Sequence, residues 1–176
     1  MLAFLLLVSA SLCLNAQPGL HFPTRIYIVR HAEKETGSDP VLTAAGRQRA
    51  GDLMCRLRHE QIQAAYVTQY LRTQMTADSM RIQLHIDTLH YVADTLCDDL
   101  LNRIRAHHYT GMTILIVGHS NTIPKIIRKL GVSDYPQANI PDAEFDNLFL
   151  VRYKKHRAWV KRSKYGAPSQ SSAPMH

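Results

Sequence analysis

Two short runs of β-branched and aromatic residues constrain most of what this chain can become. Thr24 to Arg30 reads Thr-Arg-Ile-Tyr-Ile-Val-Arg, and Thr113 to Val117 reads Thr-Ile-Leu-Ile-Val. Neither alternates apolar with polar residues, as a strand with one wet face would, so both are predicted to be buried on both faces of a sheet. Each ends in a turn that carries a histidine, Arg30-His31 after the first and Gly118-His119 after the second.

The stretches between them read as helices and further strands. Thr43 caps a helix in which Ala50, Leu53, Met54 and Leu57 recur at i, i+3, i+4 and i+7. Ala64 to Thr68 makes a second strand, residues 72–82 a helix with Met75, Ala77 and Met80 roughly on one side, and His90 to Ala93 a short strand. Thr95 opens a helix with Leu96, Leu100 and Ile104 four apart, and another helix runs from about Thr122 to Leu130 with Pro124 in its first turn. Asn147 to Tyr153 and Ala158 to Lys161 read as a closing pair of strands. Strands alternating with helices predict an α/β fold, a three-layer α/β/α sandwich around a mostly parallel central sheet. In such sheets ligands bind outside the carboxyl ends of the strands. Both histidines should therefore reach the same rim.

With 176 residues and 45% hydrophobic content the chain is sized for one globular domain. That excludes disorder of the whole, collagen-like repetition and a disulfide-dense miniprotein. Its charge of +7 points to an anionic partner. Nucleic acid is not expected, because the densest basic run, Arg152 to Lys164, matches no nucleic-acid-binding pattern and reads as a solvated face. Residues 1–16 carry no charged side chain, and Leu2 to Leu14 is nearly all apolar but shorter than the ~20 residues of a membrane span. This reads as a signal peptide with Ala16 before the cut, implying an exported, periplasmic or extracytoplasmic protein, with a retained N-terminal anchor as the rival reading. The globular domain is assigned to residues 22–163, and the Pro-, Ser- and Ala-rich tail 164–176 is expected to be disordered. Cys55 and Cys97 are expected to be small buried thiols on separate helices; whether they pair is left open.

Arg30, His31, Arg72 and His119, arriving at helix N-termini on one rim, would form a cationic pocket to which backbone N–H groups add. Phosphate is its natural occupant. Four segments in order resemble the histidine phosphatase superfamily, which has the phosphoglycerate mutase-like fold, and within it the smaller branch. They are Arg30-His31, Leu42-Thr43 with Gly46, Arg72-Thr73 with Thr76-Ala77, and Gly118-His119-Ser120, spanning residues 24–131 with their flanking elements. The resemblance implies that His31 is the nucleophile and that Arg30, Arg72 and His119 hold the phosphoryl oxygens. Ser120 could add a donor from the helix start, and Asn121 reads as a helix cap.

The chemistry agrees. A neutral imidazole is a competent nucleophile near neutral pH if its other nitrogen donates to a fixed acceptor such as a backbone carbonyl. Guanidinium forks suit the equatorial oxygens of a transferring phosphoryl group. Neither metal nor cofactor is implied. Many relatives place a Glu between the second arginine and the second histidine as general acid, yet residues 73–118 hold no Glu. Of Asp78, Asp87, Asp94, Asp98 and Asp99, Asp94 is chosen, because it stands where a strand-like stretch gives way to a helix; it could equally cap that helix.

Glu33 and Lys34 read as a solvated loop pair, His107 and His108 as exposed, and Asp142, Glu144 and Asp146 as an acidic patch at the rim. The function expected is a metal-independent phosphatase acting on phosphomonoesters or phosphoramidates through phosphohistidine on His31. The alternatives are a phospho-ligand binding protein and, behind it, a phosphomutase. The partner would be a phosphorylated small molecule or a phosphorylated protein.

Overall fold

The computed structural model describes residues 25–107, 111–154 and 157–169. The apolar segment 1–16, residues 22–24 of the assigned domain, His108 and the end of the tail lie outside the described residues. The elements run β1 (Arg25–Arg30), α1 (Ala44–Leu57), β2 (Ile62–Thr68), α2 (Leu71–Leu84), β3 (Asp87–Tyr91), α3 (Asp98–Ala106), β4 (Thr113–Gly118), α4 (Ile123–Lys129), β5 (Asn147–Lys154) and β6 (Arg157–Lys164). They build one six-stranded sheet in the order β3-β2-β4-β1-β5-β6. The first four strands in that order are parallel, and β5 and β6 complete the sheet antiparallel.

The sheet separates two apolar layers. Leu53 and Leu57 of α1 and Ala77 and Met80 of α2 pack with Tyr27, Val29, Val67, Leu115 and Val117 on one face. Leu100 and Ile104 of α3 and Ile123, Ile126 and Ile127 of α4 pack with Ile26, Ile28, Tyr66, Ile114 and Ile116 on the other. Residues alternate between faces along each strand, and both faces are covered, which is why β1 and β4 carry apolar side chains in unbroken runs.

Four expectations of the fold change, the first being the short strand read at His90 to Ala93, which runs Asp87–Tyr91. The helix read from Thr95 begins only at Asp98, and Leu96 lies outside it, 65% exposed. The Asp94 carboxylate accepts the Cys97 N–H, and Asp99 accepts that of Val92, so residues 92–97 form a side-chain-braced turn rather than a helical one. Cys55 is exposed and only Cys97 is buried; both are free thiols. Burial raises the Cys97 thiol to about 11. The tail read as disordered from residue 164 is held through Ser169. Tyr165 is buried, Arg49 donates to the carbonyls of Tyr165 (3.3 Å) and Ala167 (2.9 Å), and Ser169 Oγ accepts from the N–H groups of Phe145 (2.8 Å) and Asp146 (3.0 Å).

The start of α1 shows how closely the loop after β1 is packed. Thr43 Oγ1 accepts the Gly46 N–H at 3.0 Å, and the Thr43 N–H donates to the Glu33 carbonyl at 3.0 Å. A Cβ at Gly46 would overlap that same Glu33 oxygen. Gly46→Ala should therefore cost about 1–3 kcal/mol by overpacking, read as a lowered denaturation midpoint. An unchanged midpoint would show that the loop yields.

Candidate active site

β1 and β4 pair in parallel with Arg30 opposite Gly118, and the His31 N–H continues the ladder onto the Gly118 carbonyl at 3.0 Å. His31 and His119 thus leave the sheet side by side, with ring centroids 5.4 Å apart, and both are buried. His31 Nδ1 lies 2.8 Å from the Ala32 carbonyl oxygen. A carbonyl only accepts, so Nδ1 carries the proton and Nε2 keeps the lone pair. Ala32 is itself held, because its N–H donates to Thr76 Oγ1 at 2.9 Å and Thr76 bonds back to the Arg72 carbonyl. Thr76 of α2 therefore anchors, through its N–H, the residue whose carbonyl sets the His31 tautomer.

The two arginines flank the pair in matching ways. Arg30 lies 4.2 Å over the Phe145 ring, and Phe145 lies 6.1 Å from His31. Arg72 lies 4.2 Å over the Tyr70 ring, and Tyr70 meets His119 edge-on at 5.5 Å. Arg30 Nη1 donates to the carbonyls of Pro141, Asp142 and Glu144, while Arg72 faces Asp39 at 3.7 Å. Neither carboxylate neutralises its arginine closely: Asp142 lies 3.6 Å from Arg30 and is almost fully exposed. The Nε groups of both arginines are buried with no acceptor among the described residues. One buried and one partly buried guanidinium group, each with an unused Nε donor beside two imidazoles, form a strong anion receptor.

Burial sets the charge state of the histidines. It lowers His31 to about 3, helped by Arg30, His119 and Arg72, although the Ala32 hydrogen bond opposes the shift. Burial lowers His119 to about 4, with Arg72 and then Arg30 adding to it. Thr68 Oγ1 holds His119 Nε2 at 3.2 Å and is tied in turn to Thr73.

Other residues sort themselves around this centre. Asp78 pairs with Arg81, Asp98 with Lys129 and Asp99 with Arg103, while Asp87 is exposed at the start of β3. Asp94 is half-buried, and its carboxylate accepts the Cys97 N–H in the turn before α3, where Cys97 itself takes the N-cap position. The Ser120 carbonyl accepts the Ile140 N–H, and its side chain is half-buried at the turn into α4. Asn121 is exposed; Thr122 takes the cap position, and its Oγ1 accepts the His119 N–H at 3.0 Å. Glu33 is not a solvated partner of Lys34. Buried Arg49 grips its carboxylate, with Nε 2.9 Å from both oxygens and Nη2 2.7 Å from Oε1.

The acidic patch is structural as well. Lys164 and Ser169 hold the Asp146 carboxyl near 2 against the opposing effect of burial, while Glu144 bonds Asn147 and Arg162. Sequence reasoning missed Tyr70, Phe145, Thr68 and Arg49. Tyr70 stands two places before Arg72, a local signal; Phe145 meets Arg30 from across the chain and leaves none.

The sequence profile of the histidine phosphatase superfamily (branch 1) matches residues 26–94. That match runs from β1 past the end of β3 and holds Arg30, His31 and Arg72. Its fold is similar to that of a protein provisionally named phosphohistidine phosphatase SixA from Agrobacterium tumefaciens, at TM-score 0.54 and 19% identity over 84% of this chain and 99% of that one. It is also similar to Bacillus stearothermophilus YhfR, at TM-score 0.59 and 18% identity over 77% and 94% of the respective chains. A third structure is the alpha-ribazole phosphatase from Shigella flexneri, at TM-score 0.58 and 14% identity over 83% and 96%. No curated protein matches the chain. The likeness covers nearly the whole of each structure, so the phosphoglycerate mutase-like sandwich is common to all.

Both imidazoles stay neutral in the fold, whereas an unfolded chain protonates its histidines near ~6.5. Their contribution to stability is thus complete above ~6.5 and is lost as pH falls toward about 4, the folded-state value of His119. Each should add a slope of up to about 1.4 kcal/mol per pH unit. Denaturant titrations at pH 7 and pH 5 should show a smaller difference in the His31→Asn, His119→Asn double variant than in the parent. An equal difference would place the pH sensitivity elsewhere.

Proposed function

We propose that the chain is a metal-independent phosphatase that transfers the phosphoryl group of its substrate to His31 Nε2 and then to water. The observation that carries this reading is a neutral, tautomer-fixed imidazole set between buried Arg30 and partly buried Arg72, whose Nε donors have no acceptor among the described residues. The family match supports general phosphatase activity. In the first step the Nε2 lone pair forms the N–P bond as the bond to the leaving group breaks, and the leaving group keeps the electron pair. Arg30, Arg72 and His119, with Ser120 at the turn, take the charge that spreads over the equatorial oxygens. Water then attacks phosphorus, the N–P bond breaks, and neutral His31 and orthophosphate are released.

The leaving group needs a proton unless it is already a good one. Asp94 is the side chain we assign to that role, from a turn beside the rim. Its commitment to the Cys97 N–H favours substrates that leave readily, such as phosphoramidates, over alkyl esters. The provisional name of the Agrobacterium structure, a phosphohistidine phosphatase, fits that preference. The apolar N-terminal run supports export of the protein.

His31→Ala should lower phosphate release from an aryl phosphate by ~10³-fold or more with the fold intact by circular dichroism; retained turnover would rule out the covalent route. A binding protein would give no burst of leaving group even in the parent. Asp94→Asn should slow hydrolysis of an alkyl phosphate far more than that of a phosphoramidate. Equal slowing of both, with a lower melting temperature, would reduce Asp94 to a cap.

A further inference from the structure

At the far end of the sheet from the histidines lies a feature that phosphatase chemistry does not use. Arg25 is five residues before Arg30, about 16 Å away at ~3.3 Å per residue. In the β1–β5 ladder Arg25 stands directly opposite Arg152, and in the β5–β6 ladder Arg152 stands opposite Trp159. Directly opposed residues share a face, so two arginines and the chain's one tryptophan form a row across three strands. The neighbouring row is Tyr27, Leu150 and Lys161.

α1 and α2 cover β1, β2 and β4 on this face and leave β6 uncovered; Trp159 is 42% exposed and Lys161 is exposed. Between the last turn of α1 and the hairpin is a cavity of about 260 Å³. Tyr27 and Leu150 are among its apolar walls, and Arg56, Arg152 and Lys161 are its cations.

The charges in this cavity do not balance. Its one carboxylate, Glu60, is already bound by Arg25 at 2.9 Å and shared with Arg56 at 3.8 Å. Arg152 has the Trp159 ring 5.6 Å away, and neither it nor Lys161 pairs with a carboxylate among the described residues. Like charges directly opposed in a ladder are destabilising. An anion beside Arg152 would offset its unpaired charge, and the exposed indole offers a stacking face beside it.

We propose that this cavity is a second binding site, for a small phosphate-bearing molecule with a planar group. Its phosphates sit among Arg56, Arg152 and Lys161, and its planar part lies on Trp159. The volume is below the ~300–1,000 Å³ of sites that enclose a whole ligand. It therefore takes the phosphates and leaves the planar group at the mouth, where the indole stands. A nucleoside diphosphate has this chemistry.

The one tryptophan lines this site and the neighbouring cavity beside Arg157 but not the histidine pocket, so its fluorescence reports binding on the hairpin and the Arg152 and Lys161 variants place it. In the full chain carrying His31→Ala, ADP should quench Trp159 saturably. Adding Arg152→Gln or Lys161→Gln should weaken ADP binding about tenfold or more. Without ligand, Arg152→Gln should melt no lower than its parent, because it removes a repulsion, and in the wild-type background it should leave phosphatase activity unchanged. Absence of saturable quenching would overturn the proposal, as would equal quenching in both variants. A response to phosphatidylserine vesicles but not to ADP would make the face a lipid-docking surface and overturn it too.

Discussion

The parallel register of β1 against β4 is the constraint on which the rest depends. Ladder bonds pair Arg30 with Gly118, and both strands end at that level, so the next residue of each chain segment is a histidine at the same height. A slip of one residue would turn every side chain of β1 to the opposite face and separate the rings. Burial on both faces prevents that slip, because it would exchange the two sets of core residues, Ile26 and Ile28 against Tyr27 and Val29.

A cationic pocket beneath a protein surface is expensive, since buried charges lose hydration and repel one another. The fold meets this cost with dipoles and aromatic faces rather than with close carboxylates. Arg30 rests on Phe145 and on backbone carbonyls of the 141–144 loop, and Arg72 rests on Tyr70. Carbonyls and rings hold a guanidinium in place without cancelling its charge, and attraction for an incoming anion is preserved. Close carboxylate partners would have made a more ordinary ion pair and a poorer receptor.

Arg49 ties this pocket to the end of the chain. One buried guanidinium binds Glu33, two residues after His31, and the carbonyls of Tyr165 and Ala167. Ser169 then fastens the Phe145–Asp146 backbone, which adjoins the loop gripping Arg30. The final described residues thus brace both sides of the site. A stretch rich in small and polar residues reads as loose when its neighbours in space are unknown, and that is why its order was hidden in the sequence.

The sequence by itself determined what depends on local pattern. Unbroken apolar runs marked β1 and β4, periodicity and Thr43 marked α1, and the strand-end rule brought His31 and His119 together. It also anticipated a backbone carbonyl as the partner that fixes the His31 tautomer, and the Ala32 oxygen fills that place. Tertiary structure decided everything that depends on residues distant along the chain: that Phe145 faces Arg30, that Arg49 claims Glu33, and that Thr76 anchors the peptide after His31. The turn at Asp94, where a helix was expected, is by contrast a local effect: its carboxylate, three residues ahead, takes the Cys97 N–H. Local propensity and periodicity are written residue by residue, whereas the partner of a buried charge is set by which segments the packed sheet brings within a few ångströms of one another.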